Sequence, residues 1–227
     1  MEYMFYDCSS LYSLNLSQLN TSKVENMVNM FSGCSRLLLN SHNIDTSKVT
    51  NMKYMFYKCS YFISLDLTNF DTSKVEDMGS MFSGCSLLRF INLSNLVISR
   101  VKNMESMFSG CSSLTSLDLT NLDTSQVTNM DYMFYGCKGF SFLDITNLKK
   151  SSVTTTKHMF SGCSSLTNLS LSSFENTQIK YMDFMFSGCS SLTSLDLYYL
   201  NTSQVSSLQY IFNDCSQLAP LNVSVLN

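Results

Sequence analysis

The nine cysteines carry most of this chain's potential for chemistry, because thiols can form disulfides, bind zinc or act as nucleophiles. Successive cysteines are 26 residues apart, except for one interval of 25. The series is Cys8, Cys34, Cys59, Cys85, Cys111, Cys137, Cys163, Cys189 and Cys215. The count is odd, no Cys-x-x-Cys pair occurs, and in a solenoid the Cβ vectors of such a column run parallel instead of converging to roughly 3.8 Å. We therefore expect a buried ladder of free thiols that pack as small apolar side chains.

The two histidines, His42 and His158, add little to this potential. Neither lies in phase with a repeated serine or cysteine, so the sequence assembles no pair of nucleophile and base. Two histidines also leave few ligands for a metal besides the cysteines. The sequence therefore predicts a protein that is not an enzyme and needs no metal or cofactor.

The period of the cysteines runs through the whole chain, which is the signature of a solenoid. Each unit must stack on its neighbour to bury its apolar face. We predict a single solenoid domain over residues 1–227, with about nine turns of 26 residues. The chain opens and stops inside a repeat without a polar capping unit, which indicates either a fragment or an open-ended unit whose ends are covered by something else.

Two apolar rhythms alternate within each turn. The stretch Leu117–Leu119 alternates between apolar and polar residues, as a strand with one solvent-exposed face does. Val127, Met130, Met133 and Phe134 follow the spacing of one face of a short helix. The fold class predicted is therefore an α/β repeat solenoid, with a parallel sheet on one face, short helices on the other, and columns of methionine and phenylalanine in the core.

Composition excludes two classes of partner. The net charge of −3 provides no strongly basic face, so we expect no binding to nucleic acid. No run of 18 apolar residues occurs, so this segment is not expected to insert into a membrane, and no signal peptide or anchor is recognisable.

The repeated unit resembles the BspA-like leucine-rich repeats of microbial surface proteins. The motif that carries the resemblance is Met-Phe-x-Gly-Cys-Ser-x-Leu-x-x-Leu-Asp-Leu-Thr-Asn-Leu-Asp-Thr-Ser-x-Val-x-Asn-Met, and it covers the entire chain. Its second half is similar to the Asp-Thr-Ser-x-Val-x-Asn-Met branch found in bacterial surface lipoproteins and some protist surface proteins. The resemblance implies a leucine-rich-repeat solenoid, an extracellular or cell-surface location, and adhesion to matrix proteins or other cells. It brings no catalytic residues.

The outward face of the predicted sheet is polar and rich in hydroxyl groups, and we expect it to bind a protein or glycan on another cell or matrix. The expected partner-binding residues are Asp66, Phe90, Ser116, Asp118, Thr120, Phe142, Asp144, Asp196 and Tyr198. Asp118 and Asp144 should lie about 5 Å apart, close enough to raise a carboxylate pKa or to share a cation. The competing interpretations are a solvated polar ladder for the carboxylates and incidental surface packing for the aromatic residues.

The uncapped ends favour a second, structural hypothesis. A head-to-tail contact that does not close builds a filament. Met4, Leu221 and Val223 are the expected residues of such homotypic end-to-end contacts. Surface recognition and adhesion is the main functional hypothesis, and a filament-forming subunit is the alternative.

Overall fold

The computed structural model of the chain describes residues 1–39, 44–148, 152–174, 178–198, 200 and 202–221. Four short strands lie in this part: β1 (Ser64–Leu65), β2 (Phe90–Ile91), β3 (Asn168–Ser170) and β4 (Ser194–Asp196). Strand β1 pairs with β2 and β3 pairs with β4, both in parallel and both in a register of 26 residues. The predicted parallel sheet is present as these two short pieces.

A longer parallel ladder runs along a different side of the coils. It consists of isolated bridges between residues one period apart, namely Asn26, Asn51, Asp77, Asn103, Asn129, Thr155, Tyr181 and Ser207. The carboxamide of Asn129 accepts the amide N–H of Asp131 at 2.8 Å, and most members of the column make the same local bond. This bond stabilises a sharp bend at the same place in these five coils.

Two further corners are built in the same way in several coils. In the coil that follows Cys111, Asp118 accepts the N–H of Thr120 at 2.9 Å, and Asp123 accepts the N–H of Ser125 at 3.1 Å. A short side-chain oxygen that binds the backbone two residues on defines an Asx turn. The repeated Asp and Asn residues of the motif therefore fix the bends of the coil.

The predicted short helices are wrong, since the described residues contain no α-helix and only one 3₁₀ helix, Ser172–Phe174. Between Met130 and Cys137, N–H groups at alternate positions close successive turns of four residues, while those between them donate to carbonyls of the next coil. Tyr132 has φ of 58° and Gly136 has φ of 66°. A residue in the left-handed region interrupts a right-handed helix, whereas a type II turn requires one at its third position.

Stacked side chains fill the interior. The described part of the phenylalanine column is stacked nearly parallel, with 5.5–5.9 Å between ring centroids of neighbouring coils. Methionines such as Met130 and Met133 and leucines such as Leu117 and Leu119 are buried beside it. This confirms the predicted core columns, which hold the coils together through apolar burial.

Hydroxyl groups connect the coils at their buried edges. Thr72 donates from its Oγ1 to the carbonyl of Val97 at 2.9 Å and accepts the N–H of the same residue at 2.8 Å. Thr46 makes the equivalent bond to the carbonyl of Asp71 at 3.0 Å. A buried polar group is tolerated where both its donor and its acceptor are satisfied.

Within the described residues, no helix has the length and hydropathy that crossing a membrane requires.

Candidate recognition surface

The outward face of the strand segments presents side chains at every second position. Ser116, Asp118 and Thr120 are exposed, while Leu117 and Leu119 between them are buried. The alternation follows from the pleat of an extended chain. The backbone thus displays the three polar side chains in the arrangement that the sequence predicted.

The carboxylates of this face are held by their own turns. Asp118 Oδ1 accepts the N–H of Thr120 at 2.9 Å and its hydroxyl at 2.6 Å. Asp144 makes the same pair of bonds to Thr146, and Asp66 and Asp196 accept the backbone N–H two residues on. These side chains are exposed, but their orientation is set by the corner that they stabilise.

Hydrogen bonding also sets the charge of this face. The hydroxyl and the N–H of Thr120 lower the pKa of Asp118, because both donate to its ionised form. Of the interpretations open for the carboxylates, the lowered pKa of Asp118 agrees with the solvated polar ladder and not with a pKa raised by Asp144. In the described part of the chain, no group of three or more His, Cys, Asp or Glu residues is arranged to hold a metal ion.

Aromatic side chains stand out of the polar face. Phe90 is 60% exposed, Phe142 is 57% exposed and Tyr198 is 77% exposed. Phe90 and Ser116 line one cleft of about 400 Å³ together with Asn92 and Asp118. The structure thus brings together Phe90, Ser116 and Asp118 of the expected residues.

The remaining expected residues are spread along the face. Phe142 and Asp144 belong to the coil that follows Ser116 and Asp118, by the period of the sequence. Asp196 lies on β4 beside Ser170, and Tyr198 follows it at the next corner. The nine expected residues therefore form a long strip of the sheet face and not one compact site.

An exposed apolar patch at the N-terminal end of this face was missed by the sequence reasoning. We define the apolar patch as the exposed side chains of Tyr12, Leu38, Tyr61, Ile63 and Leu87. The signal was present in the sequence, because the residues in phase with Leu38 and Ile63 in the four coils from Cys111 to Cys189 are Thr or Ser. These in-phase residues are Thr115, Ser141, Thr167 and Thr193.

The cysteine ladder is confirmed as free thiols, and seven of the nine are buried, from Cys34 to Cys189. The Sγ of every buried cysteine donates to the carbonyl of a phenylalanine in the preceding coil, as Cys111 does to Phe82 at 3.2 Å. Burial raises the pKa of Cys111 to about 12, which keeps the thiol protonated and unreactive. Cys8 is exposed and Cys215 is partly exposed, so the ladder is not buried at its two ends.

His158 lies in a column of stacked rings. Its imidazole stacks on Tyr132 at 4.5 Å and on Phe184 at 4.6 Å. Burial lowers the pKa of His158, against the opposing influence of Asp131 and Asp183. Its buried Nδ1 has no hydrogen-bond partner among the described residues. This environment favours the neutral ring; His42 lies outside the described residues.

Of the expected end-stacking residues, Met4 is 47% exposed and Leu221 is partly buried against the core. Val223 lies outside the described residues.

The repeat matches the model of a family described as Mycoplasma protein of unknown function, DUF285. The matches cover residues 1–117, 64–142 and 102–224. The chain belongs to the DUF285 family. Comparison of this DUF285 chain with curated protein sequences gives no match.

The fold of the DUF285 chain is similar to that of a solved leucine-rich-repeat protein. A leucine-rich repeat protein from Bacteroides ovatus ATCC 8483 is 18% identical and has a TM-score of 0.51, over 96% of this chain and 62% of that one. This chain thus spans less than two thirds of the Bacteroides protein. The likeness supports the predicted leucine-rich-repeat solenoid, and at this identity it shows the fold alone.

Two further structures are more distant. The leucine-rich repeat protein of T. pallidum is 18% identical with a TM-score of 0.42, over 74% of this chain and 81% of that one. A leucine-rich cell surface protein from Faecalibacterium prausnitzii A2-165 is 17% identical with a TM-score of 0.31, over 95% of this chain and 73% of that one.

Proposed function

We propose that this DUF285 chain is a non-enzymatic recognition module that binds a protein or glycan on another cell or matrix through its sheet face. We also propose that it is of the BspA-like branch and acts outside the cell or at its surface. The repeat motif supports this location, and the outward face, which presents exposed hydroxyl groups and the carboxylates of Asp118 and Asp144, is of a kind that contacts other molecules.

The observation that carries the proposal is the exposure of Phe90 and Phe142 on an otherwise polar face. Serine occupies the same phase at Ser64, Ser116 and Ser194, so the coil does not need an aromatic residue there. Exposed aromatic side chains on a surface of small polar residues supply most of the free energy in many interfaces. The fold gives no other use for these two rings.

The test is binding of the labelled chain to a glycan array, immobilised extracellular matrix proteins and whole cells. Phe90→Ser combined with Phe142→Ser should weaken the binding at least tenfold, because each lost anchor typically costs over 1 kcal/mol. Since serine occurs in phase in other coils, the double variant should keep its fold.

Tyr135→Ser provides the matched control, because Tyr135 is an exposed aromatic residue on the turn side of the coil. It should leave binding unchanged. Bulky replacements of Ser116 and Thr120 should abolish binding without unfolding the chain. Asp118→Asn should retain the Asx turn, because an amide oxygen can also accept the N–H of Thr120. Equal binding by wild type and the double variant would contradict the assignment of the sheet face.

A second candidate, end-to-end assembly, is favoured by the polarity of the backbone on the turn side. There, N–H groups point to the next coil and carbonyls to the preceding one. At the first coil, no described residue donates a hydrogen bond to the carbonyls of Met4 and Tyr6. At the last coil, the N–H groups of Tyr210 and Phe212 donate to no carbonyl of a described residue. Further coils of a longer chain would provide hydrogen-bond partners for these backbone groups, and so would a second copy stacked head to tail.

Light scattering across a dilution series distinguishes these arrangements. Assembly predicts a mass that grows with concentration and a loss of growth in Met4→Asp or Leu221→Asp. A constant monomer mass at all concentrations would contradict assembly of this chain and leave the recognition proposal intact.

A further inference from the structure

The apolar patch is continuous across four coils. The N–H of Leu38 donates to the carbonyl of Tyr12 at 2.7 Å, so these two residues are neighbours on adjacent coils. Leu38, Tyr61 and Ile63 line one cleft of about 320 Å³. Leu87 is in phase with Tyr61 in the next coil. Five exposed apolar side chains thus form one surface.

This surface is not required by the fold. The positions in phase with Tyr61 and Leu87 in later coils include Ser113, Ser165 and Ser191, and those in phase with Ile63 include Thr115. Ile63 is 62% exposed and Tyr61 is 57% exposed, although later coils form with Thr or Ser at these positions. Contiguous exposed apolar residues of this kind mark an interaction site.

Two arginines give the patch its charge. Arg36 is in phase with Tyr61 on the preceding coil, and the N–H of Arg89 donates to the carbonyl of Ile63 at 2.9 Å. Both side chains are exposed, and neither forms an ion pair with another residue that the structure describes. The one carboxylate that lines the cleft, Asp66, already accepts the N–H of Thr68.

We propose that the apolar patch docks an acidic amphipathic segment of a partner protein, at the N-terminal end of the strip described above, where Asp66 lines the cleft of the patch. The apolar side chains of the segment lie over Leu38, Tyr61 and Ile63, and its carboxylates pair with Arg36 and Arg89. These arginines are two coils apart, which is about 10 Å along the solenoid axis. An extended segment spans this distance with carboxylates about three residues apart.

The charge decides the class of occupant. An apolar patch between two unpaired guanidinium groups disfavours a basic segment and favours carboxylates, which pair with Arg through two hydrogen bonds. A second copy of this chain would have to bring its own arginines onto the same patch. A protein segment with apolar and acidic residues meets both features.

The test begins with a displayed library of random 12-residue peptides, selected on the wild-type chain. Counter-selection uses a patch variant that carries Leu38→Thr, Tyr61→Ser, Ile63→Thr and Leu87→Ser. All four replacements are residues that the repeat itself carries in phase, so the coil should be retained, which circular dichroism and protection of the buried thiols verify.

We expect the selected peptides to combine apolar residues with Asp or Glu and to bind the patch variant at least tenfold more weakly. Arg36→Gln and Arg89→Gln should weaken binding several-fold at low salt, and the difference should shrink at high salt. Arg100→Gln is the matched control, because it makes the same change of charge on another side of the coil and should have no effect.

Three results would overturn the proposal. The first is the absence of peptides that depend on the patch, and the second is selection of peptides without carboxylates that bind the arginine variants equally well. The third is patch-dependent dimerisation, or patch-dependent binding to vesicles with 30% anionic lipid, in place of peptide binding. Because the patch variant keeps Phe90 and Phe142, its adhesion test separately reports on the sheet face.

Discussion

Replacing Phe108 by leucine should measure what ring stacking contributes to the solenoid. Phe108 is fully buried between Phe82 and Phe134, with 5.5 and 5.9 Å between ring centroids. An aromatic pair contributes about 0.5–1.5 kcal/mol beyond its apolar burial. Leucine keeps most of the apolar volume but loses both pairs, so Phe108→Leu should lower the free energy of unfolding by about 1–3 kcal/mol.

Phe212→Leu is the matched comparison. Phe212 is only partly buried and stacks on one described ring, Phe186, at 5.8 Å. Losing one pair should cost about 0.5–1.5 kcal/mol, roughly half of the cost at Phe108. Urea denaturation followed by circular dichroism gives both values by linear extrapolation.

The outcome that would refute this reasoning is an equal cost at the two positions. It would mean that stacking along the column contributes little and that apolar burial alone holds the coils together. A separate early transition in Phe108→Leu would also be informative, because a solenoid weakened at its middle can unfold in two parts.

Three further predictions concern single side chains. The lowered pKa of His158 means that the unfolded chain binds its proton at higher pH, so stability should fall as the pH drops below about 6.5. His158→Phe, which copies Phe184, should lose less stability between pH 7.5 and 5 in thermal melts. At pH 8, Cys8 should react rapidly with a thiol reagent, while the seven buried cysteines should react only on unfolding. Lys58 has φ of 56° at a position where most coils carry glycine, so Lys58→Gly should raise stability by up to about 1 kcal/mol in urea.

Each of these predictions has an outcome that contradicts it. An equal dependence on pH in wild type and His158→Phe would show that the ring stack does not perturb the histidine. Rapid reaction of more than the exposed thiols would show that the ladder opens in the native state. A loss of stability in Lys58→Gly would show that the contacts of the lysine side chain, including its Nζ near the Tyr57 ring at 5.1 Å, outweigh the strain of its backbone.

The core could be predicted from the sequence, whereas the path of the backbone between core residues could not. Met130, Met133 and Phe134 are buried as expected, but the spacing of buried residues fits both a helix and a series of turns. The deciding feature is the left-handed conformation of Tyr132, which is not a residue type that signals a positive φ. The buried residues could therefore be predicted from their spacing, whereas the turns that connect them were predicted wrongly as a helix.

The candidate surface shows the same limit. The exposure of Phe90 and Phe142 followed from alternation along the strand, and the structure agrees with it. The local hydrogen bonds of Asp118 depend on the turn that follows it, so the sequence predicted an outward column of carboxylates but not the bonds that orient them. The apolar patch could have been found from the sequence by comparing Ile63 with Thr115, since both occupy the same phase.

The residues that recur in most coils and those that depart from the repeat serve different purposes. Asp118 holds a corner, Thr72 bridges two coils, and Cys111 satisfies a buried carbonyl, so the fold itself accounts for each of these repeated side chains. The side chains of Phe90 and Ile63 depart from the repeat and are exposed. Coils that carry Ser or Thr at these positions form the same fold without them. Binding specificity in this solenoid must therefore be sought in departures from the repeat, because a perfectly repeated face would present the same chemistry to a partner at every coil and could not fix its position along the axis.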